Sequence, residues 1–564
     1  MFGISVAMAR VPRARRWYQS LLALPGGSKP PPYTRGVVEA RGSTGAAEAR
    51  GRRLAWSTAV FSLATGVSRV VGLLRESVVR YYFGTVGSIN AFEVAFLVPN
   101  TIRALVADAA LSSAFVPVFS ELLEKGERKR AWRVASSLFW LMLLGLGGLT
   151  AIFIVVAPWV MRAFGYGGLA TGLARVLFPI VVLLGLTGIV VGILNSYEHF
   201  SVPALAPVFW NLAIVAGLVL GVPRAHGIDA KLYVYAVSIV VATLIQLLLP
   251  VPWLRGRDGR LHMVLDWRDP AVRRTFKLMV PITLGLGLIN LNALVDTLFA
   301  ARLIDKNQAP SAINAAFRLY IFPQGMFSVA VATVLFPALA RLATRGDDEG
   351  FRHTVALGLR QIGFLLVPAS VASAVLATPI VRLVYQRGGF TPSQTHVVAG
   401  ALAAFALGLT FNGTMLMLNR AFFSLQSNWI PTVVALANLG LNAALDAAFY
   451  RVGIWGIPLS TSLVNIAGSA ALLVLLRRRF GRIELGETGR SFGFVVVASA
   501  ALAAAAYPVW RGLDAVLGRS FGGQVVSVFV ALAAGALAYL VSCRLLRVRE
   551  LDALLSLRAR LRRA

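Results

Sequence analysis

Long apolar runs dominate this chain, and short polar, glycine- or proline-containing breaks divide them. Runs of 18 or more apolar residues match the length a helix needs to cross the hydrocarbon core of a bilayer. The pattern predicts fourteen such helices, near residues 54–80, 88–124, 130–161, 169–195, 203–222, 229–254, 270–302, 310–344, 350–384, 393–425, 430–449, 453–477, 491–511 and 524–544. With the N-terminus placed inside, 38 of the 55 Lys and Arg fall in inside segments and 12 in outside ones, counting Arg80 at the outer end of the first helix. That asymmetry predicts two cytoplasmic termini.

The apolar pattern is broken in a few places by charge. In SRVVGLLRESVVRYYFG (Ser68–Gly84), Arg69, Gly72, Arg75 and Glu76 fall on one helical arc, while Val70, Val71, Leu73 and Leu74 fall on the opposite one. An arginine at bilayer depth costs about 2.5–3.5 kcal/mol on insertion scales, so two on one face predict a hydrated cavity along it. The bland alternative is an Arg69–Glu76 ion pair with Arg75 reaching outward. Arg103 in the second helix and Arg318 in the eighth add cations at the same depth. The intramembrane acids are few: Glu76, Glu93, Asp108, Asp296 and Asp446. Surplus guanidinium suits an anion, and its planar fork matches phosphate oxygens two at a time. A second group holds oxygen donors instead. Asp296 lies in NLNALVDTLFAA, Asn442 and Asp446 share a helix face, Thr461 follows, and Pro458 is expected to free a carbonyl near Ile457. Such oxygens suit a hard cation such as sodium; hydrogen bonding between membrane helices is the competing reading.

The chain also repeats itself. NAFEVAFLVP at Asn90 resembles NAAFRLYIFP at Asn314, and three further short matches follow in the same order at offsets of 220–228. Each unit holds six helices, an even number that keeps both copies in one orientation. Transporters built this way bind substrate between the repeats and rock around it. The pattern therefore predicts lobes at 54–255 and 270–478, with a helix pair at 491–546 outside the repeat.

Composition narrows the classes. With 57% hydrophobic and 14% charged residues in 564, the chain is no soluble globular protein, and its net charge of +31 sits in loops rather than on a nucleic-acid-binding face. The lone Cys543 excludes an intrachain disulfide. Nucleophile-elbow, zinc-protease and phosphate-loop motifs are absent, so the chain reads as no enzyme. Residues 1–50, rich in Gly, Pro, Ala and Arg, read as a disordered basic tail that meets anionic lipid, and LRVRELDALLSLRARLRRA, ending in the basic tail 547–564, as an interfacial amphipathic helix.

SRVVGLLRE, FGTVGSINAFEVAFLVPNTIRALVADAALSSAFVPVFSE and FRLYIFPQGMFSVAVATVLFPALA resemble the MurJ/MviN family, the lipid II flippases of the multidrug/oligosaccharidyl-lipid/polysaccharide exporter superfamily. The likeness runs from about Leu54 to Leu546. It implies an all-α polytopic membrane protein with fourteen transmembrane helices: two pseudo-symmetric six-helix lobes around a V-shaped cationic cavity, plus a C-terminal pair forming a lipid-tail groove. It implies transfer of undecaprenyl-diphosphate-linked peptidoglycan precursor across the bacterial plasma membrane, with lipid II and anionic lipids, and cell-wall synthesis or division proteins, as partners. Arg69, Arg75, Arg103 and Arg318, with Glu76 and Asn100, take the substrate-binding positions; Asp296, Asn442, Asp446, Ile457 and Thr461 resemble the sodium ligands of some members. Two departures stand out: Asn90 and Ile321 replace acids found in some members, which leaves the cavity more cationic. A flippase for another polyprenyl-linked glycan and a non-transporting scaffold are the alternatives.

Overall fold

The computed structural model describes residues 64–103, 110–427, 429–481 and 485–551, apart from the side chains of 110–113, 280–290 and 485. The tail at 1–50, the expected start of the first helix, Asp108 and residues 552–564 lie outside the described residues. Among the described residues every regular element is a helix. In chain order these are α1 (64–83), α2 (Ile89–Arg103), α3 (Ala110–Glu124), α4 (Arg128–Ala163), α5 (Gly168–Leu177), α6 (Ile180–Ser196), α7 (Ser201–Gly221), α8 (Ile228–Leu248) and α9 (Pro270–Phe299). There follow α10 (Ala309–Arg345), α11 (Asp348–Val375), α12 (Ala377–Tyr385), α13 (Pro392–Ser424), α14 (Trp429–Phe449), α15 (Gly456–Phe480), α16 (Leu485–Leu517) and α17 (Phe521–Leu545).

Local chemistry sets these boundaries. Gly84 ends α1 in the left-handed region at φ 60°, its N–H bonding the Arg80 carbonyl at 2.9 Å. Asp269 caps α9 by accepting from the Ala271 N–H, with Pro270 at the first helical position. Asp347 caps α11 in the same way, followed by Asp348 and Glu349 at the positive end of the dipole. Two predicted helices are each divided in the structure. The fourth breaks between α5 and α6 at Phe178 and Pro179, and the ninth breaks after Val375, where the Pro379 ring four residues on would meet the Val375 carbonyl.

Among the described residues, eleven helices are long and apolar enough to cross a membrane. The described part of α1 is not among them, because Arg69, Arg75, Glu76 and Arg80 dilute its hydropathy. Large apolar side chains cover the outside: Leu144, Ile152, Val155 and Trp159 of α4 are all more than half exposed, as on a surface that meets lipid.

Buried apolar residues form three clusters. The first runs from Val79 to Met279, the second from Ala312 to Leu476, and the third joins Phe364, Val367 and Leu376 to Val495, Leu502, Tyr539 and Cys543 of the C-terminal pair. The pair α16–α17 is thus fastened on α11, where the Tyr539 hydroxyl donates to the Phe364 carbonyl at 2.7 Å. Meanwhile α9 leans on the first cluster through Val272 and Met279 and reaches α14 further along. Small residues bring helices close: α13 meets α15 where Gly408 faces the Ser462 Cα.

Candidate functional site

Arg80 reorganises the reading of α1. Instead of an outer-end surface charge, it is fully buried, and all five of its N–H donors are taken. Nε and Nη2 donate to Glu76 Oε1 at 2.9 and 2.6 Å, and Nη2 also donates to Glu93 Oε1 at 2.9 Å. Nη1 donates to the Gly84 carbonyl at 3.3 Å and to Ser311 Oγ of α10 at 2.5 Å. The expectation of a solvated helix end fails because α1 continues to Phe83 and packs its last turn under α2 and α10. An Arg69–Glu76 pair is not what forms: Glu76 belongs to Arg80.

Arg75 and Arg318 are bonded far less. Arg75 makes no hydrogen bond among the described residues; its Nη2 stops 3.7 Å from Glu76 Oε2, and its buried Nε has no partner. Its guanidinium lies instead over the Trp210 ring, 5.0 Å from the centroid, a cation–π contact that holds the group without consuming its donors. Trp210 is itself fixed by its indole N–H donating to Thr243 Oγ1 at 3.0 Å. Arg318 uses only Nε, which donates to Asn314 Oδ1 at 3.2 Å. Arg318 is among the charges acting on Glu76, together with Arg80 and Arg75, so arginines from α1 and α10 share one site.

Arg69 lies against α10 as well. A Cβ on Gly325 would meet the Arg69 guanidinium, so the bare glycine lets that guanidinium rest against the α10 backbone. Gly325 is seven residues beyond Arg318 and therefore on the same face of α10. The charged face of α1 and this face of α10 thus oppose each other. Arg103 donates from Nε to Asn100 Oδ1 at 3.1 Å, one turn apart on α2. Buried or half-buried donors normally find acceptors, and here N–H donors of Arg75 and Arg318 have none among the described residues, which leaves them for the acceptor oxygens of a ligand. Trp210 and Gly325 had no sequence signal beyond being one aromatic and one glycine among many.

A polar chain in the second cluster also escaped the sequence reading. Gln324 Nε2 donates to Asn412 Oδ1 at 2.8 Å, and Asn412 Nδ2 to Asn465 Oδ1 at 3.3 Å. Its amides come from three helices, too far apart in sequence to show a spacing.

The oxygen-donor group does assemble. Asn442 Nδ2 donates to Asp296 Oδ1 at 2.5 Å and to Asp446 Oδ2 at 3.0 Å, joining α9 to α14. Asp446 and Thr461 are among the groups that act on Asp296. Asn442 and Asp446 are fully buried, and Asn442 Oδ1 and Asp446 Oδ1 have no hydrogen-bond donor. Two orphaned buried oxygens among two carboxylates and a hydroxyl fit a hard cation. One detail differs from expectation. Pro458 sits in the first turn of α15, where its missing N–H has no helical partner to deprive; the Ile457 carbonyl instead accepts from Thr461 Oγ1 at 3.2 Å.

Asn90 is no cavity residue either. It is fully buried where the 84–88 loop meets the 305–309 loop. Its Nδ2 reaches the carbonyls of Thr85, Gly87 and Asn307 at 3.0, 3.0 and 2.5 Å, and its Oδ1 accepts from the Ser311 N–H at 2.8 Å. The same face is knit by Gly87 N–H to the Asn307 carbonyl, Gly389 N–H to the Tyr81 carbonyl and Thr85 N–H to Gln394 Oε1. Ile321, the other departure, is partly exposed.

A bundle of membrane-length helices with an apolar exterior and arginines gathered within it defines a class: multi-pass membrane transporters. Its fold is that of a solved structure described as "Lipid II flippase MurJ, inward closed conformation", with a TM-score of 0.71 at 23% identity over 86% of this chain and 98% of that one. An inward-facing multidrug-resistance MATE family transporter of the MOP superfamily follows at a TM-score of 0.60 and 17% identity, over 75% and 95%. The family profile described as MurJ, lipid II flippase, matches residues 79–520. A protein of Burkholderia cenocepacia named lipid II flippase MurJ is 30% identical over 80% of this chain and 88% of its own, and a probable lipid II flippase MurJ of Vibrio cholerae is 30% identical over 75% and 82%. The chain belongs to the MurJ family, whose members are transporters rather than catalysts.

Proposed function

We propose that this protein carries lipid II, the undecaprenyl-diphosphate-linked disaccharide–pentapeptide, from the inner to the outer leaflet of the bacterial plasma membrane, and so supports peptidoglycan synthesis and cell shape. The observation that carries the reading is the set of under-bonded guanidiniums of Arg69, Arg75 and Arg318, presented by opposing faces of α1 and α10; Arg103 and Asn100 on α2 join them in this reading. Their planar forks bind the diphosphate. The sugar and peptide occupy hydrated space in a V-shaped cavity between six-helix lobes at 54–255 and 270–478. The polyprenyl tail stays in hydrocarbon beside α9, α16 and α17.

Transport proceeds by alternating access through fourteen spans with both termini cytoplasmic. In that orientation the loops at 84–88, 305–309 and 386–391 are outer, and their mutual hydrogen bonds make the arrangement outer-closed. Rocking of the lobes breaks them and exposes the headgroup outside. Asp296, Asn442, Asp446, the Ile457 carbonyl and Thr461 would hold a sodium ion, whose positive charge would bias this equilibrium. On the inner face, a cleft of about 340 Å³ lined by Arg268, Arg273, Arg274 and Lys277 receives anionic lipid headgroups.

Replacement of an essential lipid II flippase in living cells tests the reading, paired with a leaflet-accessibility assay for lipid II. Full-length protein and a form lacking residues 1–50 are expected to support growth and outer-leaflet lipid II, while Arg75→Ala and Arg318→Ala are not. Growth of both arginine variants at normal expression, with death on tail deletion, would overturn transport in favour of a scaffold.

A further inference from the structure

Four guanidiniums, Arg69, Arg75, Arg80 and Arg318, share this layer with two described carboxylates, Glu76 and Glu93. How those carboxylates are divided decides whether the layer is a strong anion site or a set of internal ion pairs. Arg75 is next to Glu76 in sequence and Arg318 acts on it across the interface, so both are ready competitors for its charge. The structure resolves the competition in one direction. Arg80 takes Glu76 Oε1 with two donors and Glu93 Oε1 with a third, at 2.6–2.9 Å, and it is fully buried where no diphosphate can reach it. Its two remaining donors fix it in place on the Gly84 carbonyl and on Ser311 of α10.

We propose that Arg80 is the positioning residue of the anion site: by holding Glu76 and Glu93 with a guanidinium the substrate never touches, it leaves Arg75 and Arg318 uncommitted for the diphosphate. The inference rests on the diphosphate-binding reading above. Without Arg80, two carboxylates in a poorly screened interior turn to the nearest cations, which are Arg75 and Arg318. The substrate then has to displace internal partners. Arg80 acts through the others and is not itself a ligand.

The test uses full-length protein in nanodiscs with undecaprenyl diphosphate as the probe, affinity read by native mass spectrometry and folding by thermal melting. Arg80→Gln is expected to bind at least tenfold more weakly, and Arg80→Gln/Glu76→Gln/Glu93→Gln to return to within threefold of the unaltered protein. A purely structural Arg80 predicts otherwise: a lower melting temperature with unchanged affinity, or lost binding that neutralising the acids does not restore. Either result overturns the inference. Should Arg80→Gln not fold, Glu93→Gln with Arg80 intact decides. Affinity within threefold supports a sequestered acid, and tenfold tightening shows that it was competing all along. Arg75→Ala and Arg318→Ala separate the two levels. If those bind normally the diphosphate reading itself fails, whereas if they lose binding while Arg80→Gln keeps it, only the role of Arg80 falls.

Discussion

Asn90→Ala isolates the outer closure. Of the contacts Asn90 makes, those to Thr85 and Gly87 are local, while those to the Asn307 carbonyl and the Ser311 N–H cross from α2 to the loop before α10 and its first turn. In the proposed alternating-access cycle only the crossing pair would be lost on opening of this face, so only that pair would bias the equilibrium between states. A net hydrogen bond is worth about 0.5–1.5 kcal/mol, giving about 1–3 kcal/mol for two. That corresponds to a roughly 5–150-fold shift toward the outer-open state. Spin labels at Ser88→Cys and Lys306→Cys report the gap by electron–electron resonance; the native Cys543 is buried and does not interfere. The unaltered background is expected to show one short distance, and Asn90→Ala to add a longer population by that factor. Asn90→Asp is expected to open the face as well, because a carboxylate has no N–H to offer three carbonyls. A folded Asn90→Ala protein with the unaltered distance distribution would refute the assignment of this residue to the closure.

Two further outcomes are expected. If the group around Asn442 holds sodium, sodium chloride will raise the melting temperature above potassium chloride at equal ionic strength, by an amount equivalent to about 2.7 kcal/mol at a hundredfold excess over Kd; Asp446→Asn and Asn442→Ala should erase the difference. His199, in the turn between α6 and α7, has its pKa pushed down by burial and then by Arg257. The folded form resists protonation, so this contribution is complete above the ordinary imidazole pKa and is lost as pH falls through the lowered folded value. Urea unfolding should show a smaller drop in stability between pH 7.5 and 5.5 for His199→Gln than for the unaltered protein.

How much of this was legible varies by element. Helix positions were readable because lipid demands long apolar runs, and the two breaks inside predicted helices fall at or near prolines visible in the sequence, Pro179 and Pro379. The oxygen-donor group was readable because Asn442 and Asp446 lie four apart on one helix, needing only Asp296 from elsewhere. Arg80 was not. A helix-end arginine before Tyr-Tyr-Phe-Gly looks like a surface charge, and its partners lie 4, 13 and 231 residues away. Asn90 was read as a missing acid, since sequence shows what a residue replaces and not that its amide bridges two loops. Trp210 could not be paired with Arg75 because 135 residues and six helix boundaries separate them.

The C-terminal pair has a mechanical implication. Because α16 and α17 are bolted to α11 while the opening turns of α9 are seated in the other core, the corridor proposed for the polyprenyl chain has walls owned by different bodies. Any swing of one body against the other alters its width. In the proposed cycle a greasy tail lodged there would act as a wedge whose thickness and stiffness would influence which posture the carrier prefers, independently of anything gripped at the charged end.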